Sequence, residues 1–371
     1  MPVTAATAIL PVTEQLGTPP TLPWPAPGAA GLYLEGGGPL GTSGGQTPLP
    51  MASTAKMMTA LLLLEDHPLG LNEPGPVITV SRADVATYFA ERNQGESVVP
   101  VTAGEQLSEY QLLQGSLLPS ASNFADLLAN WDAGSVPAFV ARMNTRAAAL
   151  GMSATHYADV SGFSAQSVSI PMDLITLART AMRLPVFAQI VAQSQASLPV
   201  AGVVHNLDTL LGHDGVVGIK TGHTDQAGGC FVFAADVEIG GQTARIYGAV
   251  MGQPNALAGA FSATGALIQA IAPVLQRRTV VRKGDVVAIY RTPWDESGQI
   301  AAGESAAAWV LVDGAVLSRR VALMPLPESL AAGSQVGTLT VTAPGHQADI
   351  PLVTTQPING PDIGWRLTRG F

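Results

Sequence analysis

The sequence changes its pattern near residue 276. Before this point, apolar stretches of helical length alternate with shorter strand-like runs. Beyond it, the apolar runs are short, and turns rich in Gly, Pro and Asp separate them, which is typical of β structure. We therefore predict an irregular lead-in over residues 1–30, a mixed main domain over residues 31–275, and a small, mostly β domain over residues 276–371.

Apolar periodicity and terminal residues predict the individual elements of the main domain. Helices are expected over residues 53–66, 107–118, 124–131, 136–150, 171–183 and 257–275. Strands are expected over residues 31–34, 216–219, 229–235 and 245–251. Residues 36–45 are expected to form a glycine-rich turn without the spacing of a phosphate-binding loop. The last three strands should form a sheet beside residues 220–222.

Composition argues against several classes of function. The net charge is −9, and the one short basic stretch, residues 277–283, reads as a solvated turn, so nucleic-acid binding is not expected. The single cysteine, Cys230, excludes an internal disulfide and a cysteine-based metal site, and its apolar surroundings predict a buried structural thiol. The histidines show no spacing that suggests a metal site.

Targeting signals are not visible in the chain. Residues 1–20 lack the basic start of an intact secretory signal. No segment is expected to reach the roughly 18 apolar residues of a membrane span. Residues 364–371 are too few to span a membrane and are only weakly amphipathic. The sequence therefore leaves membrane attachment open.

Lysine is rare in this chain, and its positions are unusual. The three lysines are Lys56, Lys220 and Lys283, whereas the remaining basic residues are arginines. A lysine can lose its proton when it is desolvated and then act as a base, which an arginine cannot do in a protein. Lys56 and Lys220 are therefore candidates for a chemical role.

The first candidate motif is Ser53-Thr54-Ala55-Lys56 at the start of a predicted helix. Residues three apart on a helix share one face, so the serine hydroxyl and the lysine amine can meet. A neutral lysine could then take the hydroxyl proton and leave a nucleophilic oxygen. The alternative is a helix-capping serine beside a lysine that extends to solvent. The apolar neighbours of Lys56 favour the first interpretation.

The second candidate motif is Lys220-Thr221-Gly222 at the end of a predicted strand. A lysine and a hydroxyl at a strand edge can hold a carboxylate. Gly222 is expected to leave room for a substrate backbone. The alternative is an ordinary strand end, and this motif alone would not decide between the two.

Together the motifs resemble those of the low-molecular-mass penicillin-binding proteins, the serine D-alanyl-D-alanine carboxypeptidases. The resemblance covers roughly residues 30–275 and includes Pro119-Ser120 and Ser161-Gly162. It implies an α/β fold with a central antiparallel sheet flanked by helices, a helical lobe, and a β-rich C-terminal domain. It also implies an enzyme that acts outside the cytoplasm, needs no cofactor, and is acylated by β-lactam antibiotics.

The resemblance implies a role for each motif residue. Ser53 would attack the terminal peptide bond of a peptidoglycan stem peptide ending in D-Ala-D-Ala, and Lys56 would be its general base. Lys220 and Thr221 would bind the substrate carboxylate beside Gly222, and His223 would line the site. The backbone N–H groups of Ser53 and of the strand near His223 would form the oxyanion hole.

Two departures from the family pattern bear on activity. The middle motif is Ser-x-Asn in the family, whereas this chain has Ser120-Ala121-Ser122, with Asn123 one residue late. We assign Ser120 as the proton-relay serine and place Ser122 and Asn123 among the substrate-binding candidates. Many members also carry an arginine beyond the strand that follows the Lys-Thr-Gly strand. It is missing here, because that stretch reads Gln253 to Gly259.

Two alternative functions stay open. A catalytically impaired relative could bind cell-wall peptides or other proteins, and Ser122 with the missing arginine motivates this alternative. A β-lactamase needs a glutamate after the middle motif to activate water, and residues 156–170 contain none. The serine carboxypeptidase is the preferred hypothesis because both motif lysines are present.

Overall fold

The computed structural model describes residues 5–45 and 47–368. The predicted helices are present, with bounds shifted by a few residues, and Arg82–Gln94, Pro185–Val191 and Ile363–Thr368 are helical in addition. The helices are α1 (Lys56–Asp66), α2 (Arg82–Gln94), α3 (Glu109–Leu117), α4 (Ser122–Ala133), α5 (Val136–Ala149), α6 (Pro171–Ala181), α7 (Pro185–Val191), α8 (Ala256–Ile271) and α9 (Ile363–Thr368). A 3-10 turn, Ala52–Ala55, precedes α1, and another, Ala272–Val274, follows α8.

The strands form one central sheet, one larger β-rich sheet and several two-stranded ribbons. The strands before α8 are β1 (Ala5–Ala8), β2 (Thr13–Leu16), β3 (Ala29–Leu34), β4 (Gly38–Ser43), β5 (Leu49–Pro50), β6 (Val77–Thr79), β7 (Gln106–Ser108), β8 (Val168–Ser169), β9 (Gln195–Leu198), β10 (Gly202–His205), β11 (Val216–Thr224), β12 (Gly228–Ile239) and β13 (Gln242–Gln253). Those after α8 are β14 (Leu275–Thr279), β15 (Val286–Arg291), β16 (Ser297–Ala302), β17 (Ala308–Val312), β18 (Ala315–Leu323), β19 (Gln335–Ala343) and β20 (His346–Thr354).

The central sheet is antiparallel, with the order β11-β12-β13-β3-β4. Helices cover both faces, since α8 packs against β12 and β13 and α6 packs against β13 and β3. Successive residues of β12 therefore enter different cores: Phe231 and Phe233 face α8, whereas Cys230 and Val232 face the other helices. The predicted α/β fold class is confirmed, and Cys230 is buried.

The helix that follows the first motif is buried on every side. Each residue from Lys56 to Leu64 is buried, and α1 packs against α3, α4 and α6. A helix that is apolar all round has to lie inside a core, since no face can be left to water. This packing fixes the first turn of α1, and the 3-10 turn before it contacts β11 and β12.

The prediction of an irregular segment over residues 1–30 is wrong where Ala5–Ala8 and Thr13–Leu16 form strands. β1 pairs with β15, and β2 pairs with β18, so these two strands form opposite edges of the seven-stranded sheet β1-β15-β16-β20-β19-β18-β2. Their pairing partners lie some 300 positions away in sequence, and no local pattern encodes such a contact. Residues 1–4 lie outside the described part of the chain.

The glycine-rich turn predicted over residues 36–45 is also only partly correct. Gly38–Ser43 forms β4, which pairs with β3 and closes one edge of the central sheet. Gly41 lies against the indole of Trp24, where a β-carbon would approach to 2.9 Å. The glycine is therefore needed for close packing within a strand rather than for a turn.

One helix among the described residues is long and apolar enough to span a membrane, contrary to the expectation above. It covers Ala256–Val274, with a mean hydropathy of 1.5. Its buried residues, including Leu267 and Ile271, pack on the central sheet. Its apolar character thus has a structural use in this fold.

Candidate active site

Ser53 lies in the 3-10 turn that leads into α1. In a 3-10 turn, residues three apart are eclipsed, so this geometry brings Ser53 and Lys56 together as the helix prediction required. Ala52, directly before the serine, has a φ of +47°, a left-handed conformation that costs a non-glycine residue about 1–3 kcal/mol. The turn presents Ser53 as a half-buried residue between buried neighbours.

The Lys56 amine is fully buried and points at three oxygen atoms. Nζ lies 2.9 Å from Ser53 Oγ, 3.3 Å from Ser122 Oγ and 3.1 Å from the carbonyl oxygen of Ser161. Burial lowers the pKa of Lys56 to about 8, while nearby carboxylates, led by Glu96, oppose this shift. A substantial fraction of this amine is therefore neutral near pH 8, which suits it to accept a proton from Ser53.

The middle motif divides into residues that face the cleft and one that does not. Ser120 is buried with a φ of +68°, and its hydroxyl has no hydrogen-bond partner among the described residues. Ser122 begins α4 and accepts a hydrogen bond from Lys56. Asn123 is bonded to Val99, accepting from its N–H at 3.0 Å and donating to its carbonyl at 2.9 Å. The structure thus places Asn123 apart from the cleft, against the expectation of substrate contact.

The second motif lies on β11, the edge strand nearest Ser53. Lys220 and Thr221 are buried, whereas His223 is exposed at the cleft. The Lys220 amine donates to the carbonyl oxygen of Thr221 at 3.1 Å. Burial, and to a smaller extent repulsion from Lys56, holds the pKa of Lys220 well below its usual value. A carboxylate arriving here would meet an incompletely satisfied amine.

Gly222 is required by the protein's own backbone. A β-carbon at this position would lie 2.9 Å from the Ser53 nitrogen and 3.1 Å from the Thr54 nitrogen. The expectation that this glycine makes room for a substrate backbone stays a prediction, and the contact with the Ser53 turn is a separate reason for the glycine. The absence of a side chain lets β11 touch the turn that carries Ser53, which fixes the two motifs relative to each other.

Ser53 stands between two adjoining cavities. A cavity of about 400 Å³ extends from Ser53 past Glu96, Ser122 and Phe163 to His223. A second, of about 500 Å³, extends past Ser120 and Thr221 to the start of α8. Both volumes are within the usual range for small-molecule sites. The motif residues other than Asn123 thus either line one continuous cleft or, like the buried Lys56 and Lys220, lie directly behind its wall.

The arginine that the family pattern led us to seek is not replaced by Arg245. Arg245 forms two hydrogen bonds of 2.7 Å with Asp236, and these bonds raise its pKa above the usual value. The wall opposite Ser120 is instead made by Asn255 and the first residues of α8. Asn255 and Ala256 both have positive φ, at 62° and 53°.

Sequence reasoning missed the acidic residues behind the site. Glu96 lines the first cavity, and its charge is felt by Lys56 together with those of Asp159, Glu91 and Asp126. Two of these residues belong to or follow α2, which was not predicted. Ser81 and Asp84 form a capping box at the start of α2, and Gly95 ends it in the left-handed conformation. These two signals could have located the helix and hence Glu96.

Comparison with known proteins was consistent with this geometry. The sequence profile of the D-alanyl-D-alanine carboxypeptidase family matches residues 40–255. The D-alanyl-D-alanine carboxypeptidase DacB2 of Mycobacterium tuberculosis is 39% identical over 193 residues, which cover 50% of this chain and 62% of that protein. The D-alanyl-D-alanine carboxypeptidase of Streptomyces sp. strain K15 is 30% identical over 231 residues, covering 57% of this chain and 77% of the relative.

Solved structures agree with the sequence relatives. The crystal structure of the Streptomyces K15 DD-transpeptidase covers 67% of this chain and 98% of its own, with 28% identity and a TM-score of 0.60. Penicillin binding protein 5 from Haemophilus influenzae shares the fold over 92% of this chain and 99% of its own, with 22% identity and a TM-score of 0.65. The chain therefore belongs to the D-alanyl-D-alanine carboxypeptidase family, as its two lysine motifs predicted.

Proposed function

We propose that this chain is a serine carboxypeptidase that removes the terminal D-alanine from peptidoglycan stem peptides outside the cytoplasm. The observation that carries the proposal is the buried Lys56 amine, 2.9 Å from Ser53 Oγ and with a pKa of about 8. Burying an amine destabilises the folded state unless the amine is paired. Here the buried amine is placed to deprotonate an alcohol.

In the proposed acylation, Ser53 Oγ attacks the carbonyl carbon of the D-Ala-D-Ala peptide bond while Lys56 takes its proton. The backbone N–H of Ser53 and one from β11 near His223 would stabilise the oxyanion. When the carbon–nitrogen bond breaks, the proton returns through Ser120 to the leaving amine. Water then hydrolyses the ester and regenerates Ser53. β-Lactams would acylate the same oxygen.

The substrate carboxylate would bind on the β11 side of the cleft. A bound carboxylate would itself favour the protonated form of Lys220, which then supplies the opposite charge. Thr221 supplies a hydroxyl, and the Ser120 hydroxyl, which has no partner among the described residues, faces the same cavity. The first N–H groups of α8 form part of the opposite wall, where no side chain caps them. These groups are suited to a carboxylate in the absence of an arginine.

Domain roles belong to the same proposal. We assign catalysis to residues 31–275, which contain both motifs and the central sheet. Residues 276–371 would form a separate β domain, to which β1 and β2 contribute edge strands.

The alternative of an impaired binding protein is less well supported, because Ser122 contacts Lys56 without displacing it from Ser53. One observation favours the β-lactamase alternative: a glutamate, Glu96, does line the cleft, although it precedes the middle motif in sequence. Both alternatives can be tested with the same samples.

The experiment measures release of D-alanine from an acyl-L-Lys-D-Ala-D-Ala peptide, with Ser53→Ala as the matched control. We expect release by the wild type and none above background by the variant. Folded wild-type protein without release, but with peptide binding, would instead support the binding protein. Rapid repeated turnover of benzylpenicillin would support the β-lactamase.

A further inference from the structure

We propose that Glu96 is a positioning residue that accepts, through Ser122, the proton displaced from Lys56 when Ser53 is activated. This inference rests on the proposed function, because it assigns a further step to the same acylation. It gives Ser122, which replaces the family asparagine, a function in the reaction.

The backbone of Glu96 is fixed by the way α2 ends. Gly95 takes the left-handed conformation, and its N–H bonds the carbonyl of Arg92 at 3.1 Å. The N–H of Glu96 reaches back to the carbonyl of Glu91 at 3.0 Å. These two bonds form the common glycine-terminated helix ending, which sets the direction in which the chain leaves the helix. Glu96 is therefore held at a defined place rather than on a free loop.

The segment after Glu96 is tied to the start of α4. The N–H of Ser122 donates to the carbonyl of Ser97 at 2.8 Å. The Asn123 side chain clamps both backbone groups of Val99. Asn123 thus has a use that its sequence position did not suggest, because it holds the Glu96 segment beside Ser122.

Ser53, Ser122 and Glu96 line the same cavity, and the buried Lys56 amine contacts both serines. Lys56 Nζ lies 2.9 Å from Ser53 Oγ and 3.3 Å from Ser122 Oγ. The Ser122 hydroxyl opposes the rise in the pKa of Glu96, and Ser161 Oγ donates a 3.5 Å hydrogen bond to Glu96 Oε2. A serine hydroxyl accepts and donates at a single oxygen, whereas an asparagine amide does so at separate atoms. Ser122 can therefore pass a proton on where the family asparagine cannot.

The surroundings of Glu96 make it a suitable acceptor. Burial raises the pKa of its carboxyl, and Ser122 and Lys56 oppose the rise. The residue is half-buried and lines the cavity that also holds Ser53 and Ser122. The charged or titratable groups that face it from the packed elements and across the cavity are Lys56, Glu91, Asp126, Asp159, His223 and Asp225.

The proton step balances as follows. The Ser53 Oγ–H bond breaks, and its proton joins Lys56 as the Ser53 oxygen bonds the substrate carbon. A proton already on Lys56 passes to Ser122, whose own proton passes to the Glu96 carboxylate. At the tetrahedral stage Lys56 and Ser122 are unchanged, and the negative charge has moved from Glu96 to the oxyanion. When the carbon–nitrogen bond breaks, the proton returns from Glu96 through Ser122 and Lys56, and Ser120 passes it to the leaving amine. No oxidant or further reactant is involved.

The test measures the acylation rate constant against pH for Glu96→Gln, Ser122→Ala and the double variant, with Glu304→Gln as a control of equal charge change on an exposed residue. We expect each single variant to lose about 10- to 100-fold, and the double variant to lose no more than either one. Glu96→Asp should recover part of the rate. The rise of rate with pH should also move to lower pH in Glu96→Gln, because Lys56 loses a neighbouring negative charge.

A shifted pH profile with an unchanged maximal rate would overturn the relay, as would additive losses in the double variant. If Glu96→Gln does not fold, Ser122→Asn gives an independent test. The relay predicts that this change lowers activity, and a gain of activity would overturn it. An inactive wild type would refute the proposed function itself, which separates the two failures.

Discussion

Substitution of Gly222 by alanine probes the contact that joins the two motifs. The added β-carbon would lie 2.9 Å from the Ser53 nitrogen, whereas ordinary contacts begin at 3.4 Å. The strand and the nucleophile turn must therefore separate by about half an ångström. The backbone N–H of Ser53 moves with the turn, and with it the proposed oxyanion hole.

The size of the effect can be estimated in two ways. Forcing an extra carbon into a packed site costs about 1–3 kcal/mol. A misplacement of about 1 Å at a reacting centre costs about 100-fold in rate. We therefore expect Gly222→Ala to lower the acylation rate constant about 10- to 100-fold, equivalent to about 1.4–2.8 kcal/mol of barrier.

The assay is stopped-flow acylation by a fluorescent penicillin, together with thermal unfolding of each protein. Gly265→Ala is the control, because a β-carbon there meets no atom closer than 4.0 Å and alanine is favoured within a helix. Acylation of Gly222→Ala within twofold of the wild type would refute the reasoning. An equal loss in Gly265→Ala would also refute it.

Three further predictions concern charge and architecture. Lys56→Arg keeps the positive charge but cannot give a neutral base, so the acylation rate should fall about 10³-fold at every accessible pH. Acylation at the wild-type rate, measured by stopped flow, would contradict the assignment of Lys56 as the base. Burial raises the pKa of Glu91 to about 9, so its carboxyl increasingly destabilises the folded state as the pH rises from about 4.5 to about 9. Glu91→Gln should therefore raise the melting temperature more at pH 8 than at pH 5, and an equal change at both pH values would contradict this prediction. Removing residues 1–17 takes both edge strands from the seven-stranded sheet, so calorimetry should show a lower melting temperature and light scattering should show association; an unchanged monomer would contradict the pairing.

Local patterns were sufficient for most of the helices. Val136–Ala149 and Pro171–Ala181 were predictable because their apolar stripes begin beside Ser135 or at Pro171, which mark helix starts. α2 was missed because only Tyr88 and Glu91 of its residues are buried, so it shows little apolar periodicity. Its ends nevertheless carry clear capping residues.

Long-range pairing limited the rest of the fold prediction. β1 and β2 are short and mostly exposed, and they become strands only because distant partners offer free edges. β4 reads as a turn because its glycines serve packing against Trp24. Such contacts depend on the folded arrangement rather than on the neighbouring residues.

The site was predictable where its chemistry is local in sequence. Ser53 and Lys56 are one turn apart, so their contact follows from helical geometry alone. The orientation of Ser122 and Asn123 required the loop from α2, because Val99 draws Asn123 away from the cleft. The same loop places Glu96 near Ser122, and no sequence motif predicted that these two residues would be close.

The most direct test of the account is intact-mass spectrometry after incubation with benzylpenicillin, followed by peptide mapping. The account predicts one covalent adduct on Ser53 that is absent in Ser53→Ala. A folded protein with no adduct, or an adduct on another residue, would contradict the assignment of Ser53 and Lys56 as nucleophile and base.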